Sequence, residues 1–246
     1  MEVKLIDFTG AGAKDPSRHA ANVLVFTKQT RLEMKRSLLK DIEAWPWEKV
    51  LAELEYMANT IPSSWEFVEY KFLITDVTRG FTHQFVRTRT ASYAQQTMRV
   101  LNVNGWTYGT GPTVKNGGYT EKVYNDAMDH VAKVYDDLIA AGAAIEDARG
   151  ILPTNIHTNI VAKFDLRTLA DTARKRASTR TQGEYRDVMD AMLEEVLRVH
   201  PWALLFFSRT FDTAAKELEQ ELLGLDLPQD QKTKLIKLID QMRMTA

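Results

Sequence analysis

The chain has 246 residues, 44% of them hydrophobic and 9% aromatic, with no cysteine and with 32 Lys and Arg against 33 Asp and Glu. This is the composition of a folded globular protein; it excludes a disordered, collagenous or disulfide-stapled chain, a thiolate metal site and a cysteine nucleophile. No apolar run approaches the roughly 20 residues of a membrane-spanning helix, and MEVKLIDFTG lacks the basic and then apolar order of a secretory leader, so a cytoplasmic protein without membrane attachment is expected.

Val3 to Phe8 alternates as an opening strand, ended by Thr9-Gly10-Ala11-Gly12. Asp15-Pro16 is a helix start with proline in the first turn, and one or two helices fill the stretch to about residue 42. Pro46 to Thr60 sets Val50, Leu51, Leu54 and Met57 on one helical face. Glu66 to Val77 alternates as a long strand, and Thr78 to Arg87 reads as a short helix. Arg99 to Gly118, rich in Gly, Asn and Thr, predicts loop with strand fragments. Tyr119 to Gly150 is helical by spacing, and further helices are expected at about 152–163, about 165–178, Gln182 to Val199, Phe211 to Leu223 and Pro228 to Met244. With no repeat, low-complexity tract or linker, the pattern predicts one α+β domain over 1–246, helix-rich with a small mixed or antiparallel sheet.

Charge is unevenly placed. Val77 to Thr120 contains Arg79, Arg87, Arg89, Arg99 and Lys115 and no acid, and Lys163 to Gly183 sets six cations against Asp165 and Asp171. Two basic patches on an otherwise acidic chain point to focused anion binding rather than a nucleic-acid footprint, although solvated helix faces would look the same. Within Arg87-Thr88-Arg89-Thr90-Ala91-Ser92-Tyr93-Ala94-Gln95-Gln96-Thr97-Met98-Arg99, three arginines are interleaved with hydroxyls and amides. If the start of this segment is extended, Arg87 and Arg89 point to one side, where a phosphate suits their forked donors; a polar loop paired with acids from elsewhere is the alternative. Arg176 and Arg180, four apart on a helix, repel unless an anion lies opposite, whereas Arg167 and Asp171 at the same spacing read as a surface ion pair. None of His19, His83, His130, His157 and His200 has metal-site spacing, and no metal is expected.

The segment RTRTASYAQQTMR resembles the signature of the flavin-dependent thymidylate synthases: Arg-His-Arg, two residues, Ser, then Asn, Glu and Ser on the way to a final Arg. Arg87, Arg89, Ser92 and Arg99 match at the right spacing, and so does Gln84 upstream. Arg149-Gly150-Ile151-Leu152-Pro153 is similar to the family's Arg-x-x-Leu-Pro, Asp165 to Leu169 to its Asn-x-Arg-Ser-Leu, and Lys175 to Glu184 to its Leu-Arg followed by Ala-Gln-x-Glu. The resemblance covers roughly residues 60–210, with the four motifs in order.

The resemblance implies an enzyme that transfers a one-carbon unit from methylenetetrahydrofolate to C5 of dUMP through reduced FAD, with NADPH as the source of electrons and no cysteine nucleophile. It implies a homotetramer with active sites shared between subunits, and no nucleic-acid partner. By carry-over Gln84, Arg87, Gln95, Thr97 and Arg99 hold the nucleotide with Arg149 of another subunit. Arg176 contacts the pyrimidine and is the catalytic residue, and Arg87, Thr88, Arg89, Ser92, Asp165, Arg167, Asp171 and Arg180 lie on FAD. The chain departs from the pattern where Thr88 and Arg180 replace histidines, Ala94 and Gln95 replace Asn and Glu, Thr97 replaces Ser, and Phe67 stands where a further flavin-side His is found. These changes leave open a related modifier of pyrimidine mononucleotides, making 5-hydroxymethyl-dUMP or acting on dCMP, and a nucleotide binder without catalysis.

Overall fold

The computed structural model describes residues 1–33, 35–99, 105–176, 182–207, 218, 220–222, 224, 225 and 227–245. They fall into two compact units, each assembled from separated stretches: Met1–Phe8 with Glu69–Glu195, and Thr9–Val68 with Val196–Ala246. The architecture is helix-rich α+β with one small antiparallel sheet, as the sequence pattern predicts.

The sheet of the first unit comprises β1 (Glu2–Phe8), β2 (Glu69–Thr78), β3 (Ser92–Gln95) and β4 (His157–Asp165) in the order β1-β2-β4-β3, every neighbour antiparallel. The helix expected at about 152–163 is instead β4, a central strand. Thr158, Ile160, Ala162 and Phe164 are buried at every second position, and pairing with β2 on one side and β3 on the other satisfies the backbone twice over. A period of two carried by a strand hydrogen-bonded on both edges overrides helical spacing in so short a run. Tyr70, Phe72 and Ile74 of β2 face the same way, and Tyr70 opposes Phe164 while Phe72 opposes Ala162. The other face carries the ion pairs Lys71–Asp7 at 2.5 Å and Lys163–Glu69 at 2.6 Å, each half exposed and contributing at most about 1 kcal/mol.

Helices of this unit, numbered along the whole chain, are α4 (Arg79–Phe85), α5 (Tyr119–Ala140), α6 (Ile145–Ala148), α7 (Leu166–Arg176) and α8 (Gly183–Val199). The run expected to be helical from Tyr119 to Gly150 breaks after Ala140, where Gly142 takes a φ of 90°, a conformation that L side chains disfavour. Phe81 and Phe85 of α4, Tyr93 of β3, Phe164 of β4 and Tyr185 of α8 form a continuous aromatic core with centroid separations of 4.9 to 6.0 Å.

The second unit contains α1 (Pro16–Gln29), α2 (Leu38–Glu43), α3 (Trp47–Thr60), α9 (Leu204–Phe207) and α10 (Gln229–Thr245). Asp15 caps α1 by accepting the Arg18 N–H at 2.9 Å, with Pro16 in the first turn as expected. Val50, Leu54 and Met57 form the buried stripe of α3. The strand expected from Glu66 starts at Glu69, since Pro62–Phe67 forms a 3₁₀ turn that sends Trp65 into the core against Phe206. Most of the helix expected over Phe211 to Leu223 lies outside the described residues.

His200 is fully buried and stacked on Trp202 with ring centroids 5.1 Å apart. Burial lowers its pKa to about 4, only partly opposed by hydrogen bonds to the backbone of Pro16 and Thr9. Between about pH 6.5 and 4 the unfolded chain therefore binds a proton that the folded chain refuses, and folding stability falls as the pH drops through that window. We expect a His200-dependent loss of about 2.5 kcal/mol between pH 7.5 and 4.5. Urea unfolding at both pH values should show a shallower pH dependence in His200→Gln; parallel curves would exclude the assignment.

Candidate functional site

Thr78, where β2 passes into α4, is the first fixed point of the site. Its hydroxyl caps α4 by accepting the Phe81 N–H at 3.1 Å. Glu184, the last residue of the Lys175 to Glu184 motif, accepts the Thr78 N–H at 2.7 Å and the Thr78 hydroxyl at 2.5 Å. One turn further on, the Gln84 amide donates to Gln182 at 2.9 Å. Two motifs almost a hundred residues apart in the chain are thereby docked on each other.

The arginine loop follows α4 directly and is not extended at its start. Arg87 and Thr88 donate backbone N–H groups to Gln84 and Phe85, and Ala91 donates to Thr88, so the segment coils before β3 begins at Ser92. Tyr93 closes this turn by aiming its hydroxyl at the carbonyls of Phe85 (2.9 Å) and Thr88 (3.0 Å), and burial raises its pKa, keeping it a phenol. Arg87 and Arg89 are both exposed; Arg87 donates Nε weakly to the His83 carbonyl at 3.4 Å, and neither touches a carboxylate among the described residues.

Arg176, at the end of α7, lies over the ring of Tyr185 with its guanidinium carbon 4.6 Å from the centroid. Tyr185 in turn packs on Phe81 and Phe85, so an arginine from the second motif rests on the helix that launches the first. The Tyr185 hydroxyl is buried; burial raises its pKa, and the Arg176 charge and the Thr88 side chain act in the opposite direction.

A second cluster lies beyond β3. Arg99 Nε donates to Glu146 Oε2 at 3.1 Å, and Arg149 Nε donates to the Glu146 backbone carbonyl at the same distance. Thr97 steadies the turn, its hydroxyl accepting the Arg99 N–H at 3.1 Å. Arg79, the first residue of α4, donates Nη2 to the Gln96 carbonyl at 2.8 Å. Gln95 points its amide at Thr82 (2.9 Å) and Thr158 (3.5 Å), on the side of the strand that faces α4.

The remaining expected residues are spread around this frame. Ser92 is exposed opposite Lys163. Asp165 spends both carboxylate oxygens on Thr168 as the cap of α7, at 2.7 and 3.0 Å. Arg167 is half-buried, and Asp171 is paired with Arg174. Arg180 lies outside the described residues, and Phe67, exposed, belongs to the other unit. Among the described residues no three His, Asp or Glu side chains gather as a metal site. Sequence reasoning counted Arg79 only as charge and passed over Glu146 and Tyr185. Nothing local marks them, because each acts on a partner distant in the chain.

Glu184→Ala should cost about 1.5–3 kcal/mol in urea unfolding, the usual value of hydrogen bonds to a charged group. Glu184→Gln, which keeps one acceptor, should recover part of that loss; an unchanged midpoint in Glu184→Ala would show that the two motifs dock by other means.

Residues 5–202 match the family model described as thymidylate synthase complementing protein. A flavin-dependent thymidylate synthase of Clostridium tetani is 34% identical over 152 residues, which is 55% of this chain and 61% of the relative. Enzymes of that name from Sulfurisphaera tokodaii and Sulfolobus acidocaldarius are 31% and 35% identical, each over 82% of this chain and over 75% and 74% of their own lengths. The matched span runs from β1 through the arginine loop, the Glu146 cluster and the whole of α8, and on it the chain belongs to the thymidylate synthase complementing protein family.

Proposed function

We propose that this protein is a flavin-dependent thymidylate synthase, converting dUMP to its 5-methyl product. The observation that carries the reading is the docking of one motif on the other, with Glu184 on Thr78, Gln182 on Gln84 and Arg176 over Tyr185. Three contacts thereby tie residues of the Lys175 to Glu184 motif to α4 and the residues that flank it.

In this reading Arg99, Arg149 and Thr97 grip the 5′-phosphate. The Arg99–Glu146 pair is easily displaced, since its side chains are 71% and 52% exposed and such pairs contribute at most about 1 kcal/mol. A charge-assisted phosphate contact contributes about 1.5–3 kcal/mol and wins the exchange. The resemblance draws Arg149 from another subunit than Arg99, but within one chain the two are joined through Glu146, which favours their entering a site shared within a homotetramer as a pair. Gln84 and Gln95 orient the pyrimidine, and Arg176, held flat by Tyr185, polarises its carbonyl and draws electron density from the ring.

The residues fit a flavin dinucleotide. Arg87 and Arg89 are exposed cations without a carboxylate contact among the described residues, suited to a pyrophosphate, and Thr88 and Ser92 add hydroxyls beside them. Asp165 and Asp171 are already engaged within α7, so with Arg167 they shape the FAD wall more than they bind. When bound, reduced FAD supplies the electrons and the route by which a one-carbon unit from methylenetetrahydrofolate reaches C5, and NADPH restores it. The cysteine-free chain carries out this reaction without thiolate attack on the ring, and we place it in the cytoplasm, where nucleotides are made.

The test is the mass of the nucleotide formed when purified, flavin-loaded protein is given dUMP, methylenetetrahydrofolate and NADPH. A gain of one methyl supports the reading; a hydroxymethyl product, or none, overturns it. Arg176→Ala should abolish turnover while far-UV circular dichroism stays that of the parent, and unaltered turnover would remove Arg176 from the site. Arg99→Ala should raise the KM for dUMP by about 10- to 100-fold, in keeping with the loss of one charge-assisted phosphate contact; an unchanged KM would place the phosphate elsewhere.

A further inference from the structure

We propose that Arg79 is a third cation of the nucleotide-phosphate site and sets its preference for a dianionic 5′-phosphate. The inference rests on the reading above that Arg99 and Arg149 hold that phosphate.

Arg79 is fixed from several directions. Its own N–H donates to the Ile156 carbonyl at 3.0 Å and the N–H of Gly80 donates to Thr154 at 2.7 Å, which lays the start of α4 on the turn that follows Arg149. Its Nη2 reaches the Gln96 carbonyl, immediately before Thr97 and three residues before Arg99, whose N–H Thr97 receives. The side chain is nonetheless unfinished. Nε is sealed from solvent and has no acceptor, and no carboxylate contacts the guanidinium among the described residues. The charged neighbour that acts on it is Arg149, a like charge, which adds to burial in making the cation less comfortable.

Counting the charges explains what the cluster lacks. Of Arg79, Arg99 and Arg149, only Arg99 bonds a carboxylate among the described residues, that of Glu146; Arg149 meets Glu146 through its backbone carbonyl. Arginine keeps its proton under all ordinary conditions, so the like charges cannot relax by titrating. The surplus is two positive charges, and a phosphate monoester above its second pKa of about 6 carries close to two negative ones. Without Arg79 the surplus is one, and the site would hold a singly charged group equally well. Arg79 therefore acts both as charge and, through Gln96, as a positioning residue for Thr97 and Arg99.

The experiment is calorimetric binding of dUMP and of deoxyuridine, which lacks the phosphate, to the full-length parent chain, Arg79→Gln and Arg79→Lys, with thermal unfolding of each alongside. We expect Arg79→Gln to weaken dUMP by about 10- to 100-fold and to leave deoxyuridine within about twofold, whereas Arg79→Lys, which keeps the charge, stays within about fivefold for both. An equal loss for both ligands in Arg79→Gln, or no loss for either, would overturn the proposal by making Arg79 a purely structural tie. If Arg79→Gln does not fold, Arg79→Lys decides: a phosphate-selective loss beyond about tenfold would contradict the charge count. A parent chain that binds deoxyuridine as tightly as dUMP would instead refute the phosphate reading of Arg99 and Arg149, a result visible without any variant.

Discussion

The carboxylate of Glu184, receiving both the N–H and the hydroxyl of Thr78, is the contact on which the geometry of the site depends. Thr78 ends β2, caps α4 and precedes Arg79, so fixing it to α8 fixes the origin of both arginine clusters. The strand leading into it is bent on purpose. Pairing with β4 slips between Ile74 and Val77, and Asp76 takes a φ of 54° with its N–H held by the Asn159 side chain at 3.1 Å. A bulge of this kind re-aims the end of a strand, and here it directs Thr78 toward Glu184 and Arg79 toward Gln96. Gly109 completes the fit, because a Cβ there would lie 2.6 Å from the Thr78 methyl.

The two clusters are held by different physics, and the difference matches the work proposed for each. Arg176 is seated by dispersion and cation–π attraction on a tyrosine embedded in the aromatic core, which restricts its plane. Arg99 is held by one exposed acid, a weak and salt-sensitive tether that a better anion replaces, and Arg149 by the backbone carbonyl of the same residue. Rigid placement suits a group that must meet a flat ring; a loose tether suits groups that must close on a phosphate.

Much of this was legible in the chain and some was not, for identifiable reasons. Alternation gave β1 and β2, and the Asp15-Pro16 start and the Val50, Leu54, Met57 stripe gave α1 and α3, because each is a local pattern matched to one partner surface. The strand β4 was missed since a run of nine residues, buried at alternate positions but flanked by Asn and Thr, is a strand only once β2 and β3 flank it. For the site, motif spacing singled out Gln84, Arg99, Arg149 and Arg176, all of which recur in the two clusters. The extended start on which the convergence of Arg87 and Arg89 was conditional is absent, because the chain leaves α4 through a hydrogen-bonded turn instead of a strand. Glu146, Tyr185 and Arg79 were invisible for a deeper reason: their importance lies in what they face, and a sequence does not record that.

One departure from the resembled signature gains sense beside Arg79 once the cluster is seen whole. Gln95 stands where the signature has a glutamate, and its amide donates to Thr82, whose own hydroxyl donates to the Arg79 carbonyl at 3.1 Å. A carboxylate in that place would accept from the hydroxyls and put a negative charge one residue from the carbonyl that Arg79 holds. The amide keeps the hydrogen-bond chain and removes the charge. Arg79 adds a positive charge and Gln95 withholds a negative one, so both residues push the same patch toward the positive surplus proposed to hold a doubly charged phosphate. Such a patch gains little from being empty and much from being filled, which is how a binding site is distinguished from a solvated arginine face of the same composition.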